Sequence, residues 1–187
     1  MNSLIVIGAS TGGPEALAAV LCRLPEDFSV PIVVVQHILP DFTGTFAKRL
    51  DKKGNLVVRE GKQGDILRPG HVYIAPSGKH LVFKHGKIDL DDGACVNFSK
   101  PSVDVTLKSA ARLFRKNAIG IILTGLGSDG TVGAKAIKNV KGITIAQDKR
   151  TSVIFDMPGN AIGSGNIDYV LAVEDIADKI MELVKGR

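Results

Sequence analysis

The sequence predicts an α/β fold of the doubly wound class: a mostly parallel β-sheet flanked by helices, with a small antiparallel hairpin excursion. Three observations lead to this prediction. Short apolar runs alternate with segments of helical period near both ends of the chain, as expected for strands and helices that follow one another. That alternation is typical of a parallel sheet with helices on both faces. Residues 56–90 break the alternation, because short strand-like pieces follow each other there without a helical segment.

The first quarter of the chain follows a strand–helix–strand–helix pattern. Its opening apolar run is followed by a glycine-rich turn, and Pro14 suits the first position of a helix, where its missing N–H costs nothing. Pro25 and Gly54 each follow a helical segment and end it. The predicted elements are a strand at 4–7, a helix at 15–23, a strand at 31–36 and a helix at 44–52.

The middle of the chain has a different character. Glycines at intervals of a few residues separate short apolar pieces, and His85-Gly86-Lys87 has the composition of a hairpin turn. We expect this region to form an antiparallel excursion from the parallel sheet. Its predicted strands lie at 56–60, 72–75, 81–84 and 88–90.

Helical period returns after Pro101-Ser102, a pair that suits a helix start. The run Ala118 to Leu123 is continuously apolar and predicts a buried strand. The last segment is amphipathic with helical spacing. The predicted elements are a helix to about 116, a strand at 118–123, a helix at 131–140, a strand at 143–146, a short helix at 157–162, a strand at 169–171 and a helix at 173–184.

Composition narrows the class of protein. The chain has 187 residues, enough for one domain with a full core, and no apolar run reaches the roughly 18 residues of a membrane span. The net charge is +5, but basic residues are scattered and no Trp is present, which argues against a nucleic-acid partner. Two cysteines are too few for a disulfide framework, and no signal peptide is evident, so we expect a cytoplasmic protein. No metal-ligand spacing occurs, and we expect neither metal nor cofactor.

The turn after the first strand contains a candidate nucleophile. Gly8-Ala9-Ser10-Thr11-Gly12 matches the nucleophile-elbow pattern G-x-S-x-G, which exposes a serine between a strand and a helix. It also half-matches a dinucleotide-binding loop, but that loop needs glycine in place of Ser10 and an acid after the second strand, where His37 stands. A glycine-rich corner without chemistry is the third reading, and it stays open on this stretch alone.

Three polar residues share one position in the predicted sheet. Ser10, His37 and Asp129 each follow the carboxyl end of a predicted parallel strand, the edge at which ligands bind in open α/β sheets. Together they have the composition of a Ser-His-Asp triad, in which His takes the proton of Ser and Asp orients the imidazole. Singly, a histidine at a strand end or an aspartate in a glycine-rich turn is more often structural. Their coincidence favours a serine hydrolase over an anion- or nucleotide-binding module and over an inactive scaffold.

The chain resembles the catalytic domain of the chemotaxis protein-glutamate methylesterases, CheB, over nearly its whole length. The resemblance depends on many short motifs in the same order. The residues that carry it are Gly8 to Pro14, Gln36-His37, Asp41-Phe42-Thr43, Phe46-Ala47, Pro69 to Pro76, Pro101-Ser102-Val103-Asp104, Leu123 to Gly130, Ala146-Gln147-Asp148 and Met157-Pro158.

The resemblance implies hydrolysis of glutamate methyl esters on chemoreceptor helices to glutamate and methanol, and deamidation of receptor glutamines. It assigns the catalytic triad to Ser10, His37 and Asp129. It makes Thr11 a helper, and the main-chain N–H groups near Thr11 and Leu126 candidates for an oxyanion hole. Two positions depart from the family pattern, since Leu126 stands where Met is usual and Asp156 where Gly is frequent.

The resemblance also bears on domains and partners. We expect residues 1–187 to be a single methylesterase catalytic domain without the receiver domain that full-length members carry. The expected partners are the cytoplasmic helices of methyl-accepting receptors and a separately supplied receiver domain, without membrane insertion. Lacking a receiver domain, the chain should be constitutively active.

Overall fold

A computed structural model describes residues 3–185, which form one large and one small β-sheet with helices on both sides of the large one. The strands in chain order are β1 (Leu4–Ala9), β2 (Ile32–Gln36), β3 (Val57–Glu60), β4 (His71–Ile74), β5 (His80–Lys84), β6 (Lys87–Asp91), β7 (Ala118–Ile122), β8 (Ile143–Gln147) and β9 (Tyr169–Leu171). The helices are α1 (Gly13–Leu21), α2 (Thr43–Asp51), α3 (Val103–Phe114), α4 (Thr131–Asn139), α5 (Asp156–Gly163) and α6 (Val173–Lys185).

The large sheet is parallel throughout and has the strand order β3-β4-β2-β1-β7-β8-β9. From β1 the chain first adds strands on one side and then returns past β1 to add β7, β8 and β9 on the other. The order therefore reverses beside β1, which creates a crevice at the carboxyl ends of β1 and its two neighbours. The doubly wound prediction is confirmed.

The prediction for the middle of the chain is partly wrong. The antiparallel excursion exists, but only β5 and β6 belong to it. β3 and β4 are parallel members of the large sheet, with Val58 registered on Val72 and Val34 on Ile74. The chain crosses from β3 to β4 through residues 61–70 without a helix, so the sequence lacked the helical segment that normally signals a parallel crossover.

Alternate residues of the central strands pack on opposite faces of the sheet, as strand geometry requires. Ile5 and Ile7 of β1 face one core with α1, α2 and α6, whereas Leu4 and Val6 face the other with α3, α4, α5 and the β5–β6 hairpin. Because both faces of the sheet are covered, the strands are continuously apolar and their loops carry the polar chemistry. No helix within residues 3–185 combines the length and apolar character needed to cross a bilayer.

Candidate active site

The structure brings His37 and Asp129 into direct contact at the carboxyl edge of the sheet. His37 immediately follows β2, and Asp129 lies in the loop that joins β7 to α4. His37 Nε2 lies 2.9 Å from Asp129 Oδ2, and the side chains are 17% and 3% exposed. With Nε2 directed at the carboxylate, Nδ1 is the ring nitrogen left to exchange a proton with another group.

Asp129 is buried and accepts hydrogen bonds on both carboxylate oxygens. Oδ2 accepts from the N–H of Val103 at 2.7 Å as well as from His37. The donors to Oδ1 are the Ser102 hydroxyl, the main-chain N–H groups of Asp104 and Gly130 and the side-chain amide of Asn97. The carboxylate thus caps the N-terminus of α3, where first-turn N–H groups lack helical partners.

These contacts control the ionisation of Asp129. Burial alone raises the pKa of its carboxyl group, because desolvation disfavours the charged form. Hydrogen bonds from His37, from main-chain N–H groups and from Ser102 outweigh burial and hold the pKa below its ordinary value. Asp129 is therefore ionised at neutral pH, as a carboxylate that orients an imidazole must be.

A second buried carboxylate stands next to Asp129. Asp104 accepts the N–H groups of Gly130 at 3.0 Å and Gly133 at 2.7 Å, and so caps the N-terminus of α4 as Asp129 caps that of α3. The Asn97 amide donates to both carboxylates, to Asp104 at 2.8 Å and to Asp129 at 3.1 Å. No sequence pattern placed Asn97, Ser102 or Asp104 in the site, although Pro101-Ser102-Val103-Asp104 is among the family motifs.

Ser10 lies at the turn between β1 and α1, as predicted. Its N–H donates to the carbonyl of Thr124, and its own carbonyl accepts the N–H of Gly13 at 2.8 Å, which closes the turn. The side chain is partly exposed. Within residues 3–185 the Ser10 hydroxyl makes no hydrogen bond, to His37 or to any other group. Catalytic hydrogen bonds are often long or poorly aligned in unliganded enzymes and shorten when substrate binds.

Two main-chain N–H groups lie beside Ser10 and are available to a ligand. Of the residues that the structure describes, none accepts a hydrogen bond from the N–H of Thr11 or of Leu126. Gly125 brings the second group close, because a Cβ there would stand 2.7 Å from the Ser10 Cβ and 2.3 Å from the Met157 Sδ. Only glycine fits this approach, which brings the residue before Leu126 against Ser10.

Two buried polar residues near the site were not recognised from the sequence. Gln36, the last residue of β2, is 2% exposed and donates to the carbonyls of Ser10 and His37. His80, to which the sequence assigned no role, is also only 2% exposed. Its Nε2 is bonded to the Ala94 carbonyl and its Nδ1 accepts the Ser102 N–H, so it supports the residue that donates to Asp129.

A cleft of about 380 Å³ opens beside His37 rather than around Ser10. One wall is formed by the residues that follow β2, and the other by the loop that contains Asn97 and leads into α3. Phe98 in that loop is fully exposed, and Leu39 on the opposite wall is 71% exposed. The lining residues are His37, Ile38, Leu39, Pro40, Ser77, Gly78, Cys95, Phe98, Ser99, Lys100 and Pro101.

Metal-ligating side chains do not gather at this edge or elsewhere in the described part of the chain. No three His, Cys, Asp or Glu residues between 3 and 185 lie close enough together to hold a metal ion. Cys22 and Cys95 are both free thiols. The chemistry that this edge can support is therefore that of a hydroxyl, an imidazole and a carboxylate with main-chain donors.

Comparison with known proteins identifies the family. The profile of the CheB methylesterase family matches residues 5–180. The chain belongs to the CheB methylesterase family. Among its relatives are a protein-glutamate methylesterase/protein-glutamine glutaminase of Thermotoga maritima, 46% identical over 187 residues, and one of Anaeromyxobacter dehalogenans, 47% identical over 182 residues.

The chain is shorter than these relatives. It is matched over 98% and 97% of its length but covers only 54% and 53% of those two relatives, so it spans about half the length of the curated CheB proteins. The crystal structure of the Thermotoga maritima CheB methylesterase catalytic domain superposes with a TM-score of 0.95 at 44% identity. The match covers 98% of this chain and 99% of that domain.

Proposed function

We propose that this chain is a serine hydrolase that removes methyl esters from glutamate residues of chemoreceptors and deamidates receptor glutamines. The observation that carries the proposal is the buried, multiply hydrogen-bonded Asp129 carboxylate that contacts His37, with the partly exposed Ser10 at the end of the neighbouring strand. The relatives' shared name, protein-glutamate methylesterase/protein-glutamine glutaminase, supplies the substrate class. Both reactions transfer an acyl group to water, so one nucleophile serves both.

In the proposed mechanism Ser10 Oγ attacks the side-chain carbonyl carbon of the substrate, and His37 Nδ1 takes its proton. Asp129 keeps the proton on Nε2 and stabilises the imidazolium. The tetrahedral intermediate collapses as His37 returns the proton to the leaving group, which departs as methanol from an ester or ammonia from an amide. Water, deprotonated by the same imidazole, then attacks the acyl-enzyme and releases glutamate and free Ser10.

The proposed oxyanion hole consists of the N–H groups of Thr11 and Leu126. Both lie beside Ser10 without an acceptor within residues 3–185, as donors reserved for a developing negative charge would be. Since Leu126 acts here through its main chain, its difference from the family's usual Met leaves the chemistry unchanged. Its side chain, 65% exposed, is free to contact substrate.

The proposed substrate surface is an apolar rim around the site. Its five members are large, at least half exposed and located in loops at the carboxyl ends of strands: Leu39, Phe42, Phe98, Leu126 and Val153. Clustered exposed apolar side chains mark interaction sites, and an amphipathic receptor helix offers a complementary face. We also propose that the protein is cytoplasmic and that a receiver domain competes with the receptor helix for this rim.

The test is methanol release from a methylated receptor fragment by the wild type and by Ser10→Ala. We expect Ser10→Ala to fold normally and to lose roughly three to six orders of magnitude in rate, as when a triad nucleophile is removed elsewhere. A binding module would instead protect the fragment without releasing methanol. An unchanged rate in Ser10→Ala would rule out the proposed mechanism.

A further inference from the structure

Gln36 occupies an unusual position between the proposed nucleophile and the proposed base. It is the last residue of β2 and is registered opposite Ala9, the last residue of β1. Ser10 therefore follows the end of β1, and His37 follows the end of the neighbouring strand β2. The pairing of β1 with β2 ends here with the bond from the His37 N–H to the Ala9 carbonyl, so no main-chain bond between these two strands joins the residues that follow.

The Gln36 side chain makes that connection. Its Nε2 donates to the carbonyl of Ser10 and to the carbonyl of His37, each at 2.9 Å. One amide nitrogen thus fixes the peptide groups from which both reacting side chains project. A small rotation of either peptide changes the distance from Ser10 Oγ to the imidazole, and hydrolysis depends steeply on that distance.

The same side chain carries an energetic penalty. Gln36 Oε1 is buried, and no group within the described residues donates a hydrogen bond to it. It instead lies against Gly13, where a Cβ would stand 2.0 Å from the oxygen. A buried acceptor without a donor lowers stability, so packing alone does not account for a glutamine at this position.

We infer that Gln36 is a positioning residue, whose amide nitrogen sets the spacing of Ser10 and His37 while its unpartnered oxygen costs stability. The role rests on the proposed function for its kinetic consequences only. Replacing the amide removes its two hydrogen bonds to the Ser10 and His37 carbonyls and also removes the unpartnered oxygen. We therefore expect activity to fall while stability is kept or raised. Replacing a residue that merely supports the fold would lower activity and stability together.

Gln147 offers a matched control. It also ends a parallel strand, β8, and is 1% exposed, but both ends of its amide are paired. Oε1 accepts the N–H of Thr124, and Nε2 donates to the carbonyl and hydroxyl of Thr151. Gln147→Met therefore removes a fully satisfied amide from a site of similar burial.

The experiment compares Gln36→Met with Gln147→Met by thermal unfolding and by kinetics on the methylated receptor fragment. For Gln36→Met we expect a Tm at or above the wild-type value, a KM within about twofold and a kcat lower by about 10- to 100-fold. For Gln147→Met we expect a Tm lower by about 3–8 °C, because the donors and acceptors that it leaves are buried.

A substrate-independent readout separates this inference from the proposed function. The rate at which a fluorophosphonate labels Ser10 reports the reactivity of the hydroxyl, and it should fall in Gln36→Met in parallel with kcat. A wild type that labels at Ser10 but releases no methanol would refute the proposed function and leave this test intact. Equal labelling of wild type and Gln36→Met, or no labelling of Ser10 at all, would overturn the inference.

Gly13→Ala perturbs the same contact from the other side. Alanine suits the first turn of α1, but its Cβ would displace the Gln36 oxygen. We expect slower labelling of Ser10 in this variant also. If Gln36→Met unfolded, the stability part of the inference would be wrong, and wild-type labelling of a folded Gly13→Ala would then refute the positioning part.

Discussion

Replacing Asp129 with asparagine tests the site most directly, because the carboxylate accepts a hydrogen bond in every polar contact that it makes. Asparagine has the same shape, but an NH₂ donor replaces one of the two acceptor oxygens. Toward the Oδ1 position, that group would face four donors; toward the Oδ2 position, it would face the Val103 N–H and His37. The second orientation leaves fewer donors without an acceptor, so we expect the nitrogen of the introduced amide to point at His37.

Two consequences follow from that orientation. The Val103 N–H and the amide each lose a partner in a buried site, which we expect to lower the free energy of unfolding by roughly 2–4 kcal/mol. For a chain of this size that corresponds to about 5–15 °C in Tm. His37 can satisfy the amide only as an acceptor at Nε2, which moves its proton to Nδ1 and leaves no base toward Ser10. The rate should therefore fall by about 10⁴-fold, as for a wrong tautomer in other triads.

The assay combines methanol release with urea unfolding of wild type and Asp129→Asn. Ring ¹⁵N shifts of His37 in the free protein report directly which nitrogen carries the proton. If Asp129→Asn kept more than about a tenth of the wild-type kcat, or if its His37 kept the proton on Nε2, the assignment of Asp129 as the orienting acid would be wrong.

Three further outcomes follow from the same site. The lowered pKa of Asp129 stabilises the fold above about pH 4, and this contribution should be lost as pH falls through that pKa, so the acid-induced drop in urea midpoint should be smaller in Asp129→Asn. Gly125→Ala should lower kcat by about 100-fold or more, since its Cβ would displace Ser10, whereas Gly163→Ala at the exposed end of α5, where a Cβ meets nothing within 4 Å, should keep kcat. A chelator should leave methanol release unchanged; reversible loss restored by a divalent ion would contradict this.

The sequence was sufficient to predict most strands and helices of the parallel sheet, and it led to the proposal that Ser10, His37 and Asp129 act together. Each of these signals is local: apolar runs, helical period and polar residues directly after strands. β3 and β4 were assigned to the antiparallel excursion because short strands joined by glycine-rich connections have the same pattern whether they pair parallel or antiparallel, and no helical segment separates these two.

The residues that support the site were missed for a different reason. Gln36, Asn97 and Asp104 are polar residues whose roles depend on partners far away in the chain, such as Asn97 with Asp129. No spacing rule predicts such partners. His80 is a further example, because its buried position depends on the Ser102 and Ala94 main-chain groups that it joins.

The pairing of β1 with β7 has a consequence for synthesis on the ribosome. Of the strands described here, β1 emerges first, and its partner on one side, β2, follows soon after. Its partner on the other side is β7, with Leu4 opposite Ala118. At roughly 5–20 residues per second, β1 waits on the order of ten seconds with one edge unpaired. Asp129 emerges later still, so during this interval the nascent chain carries Ser10 and His37 without the carboxylate that His37 contacts in the folded protein.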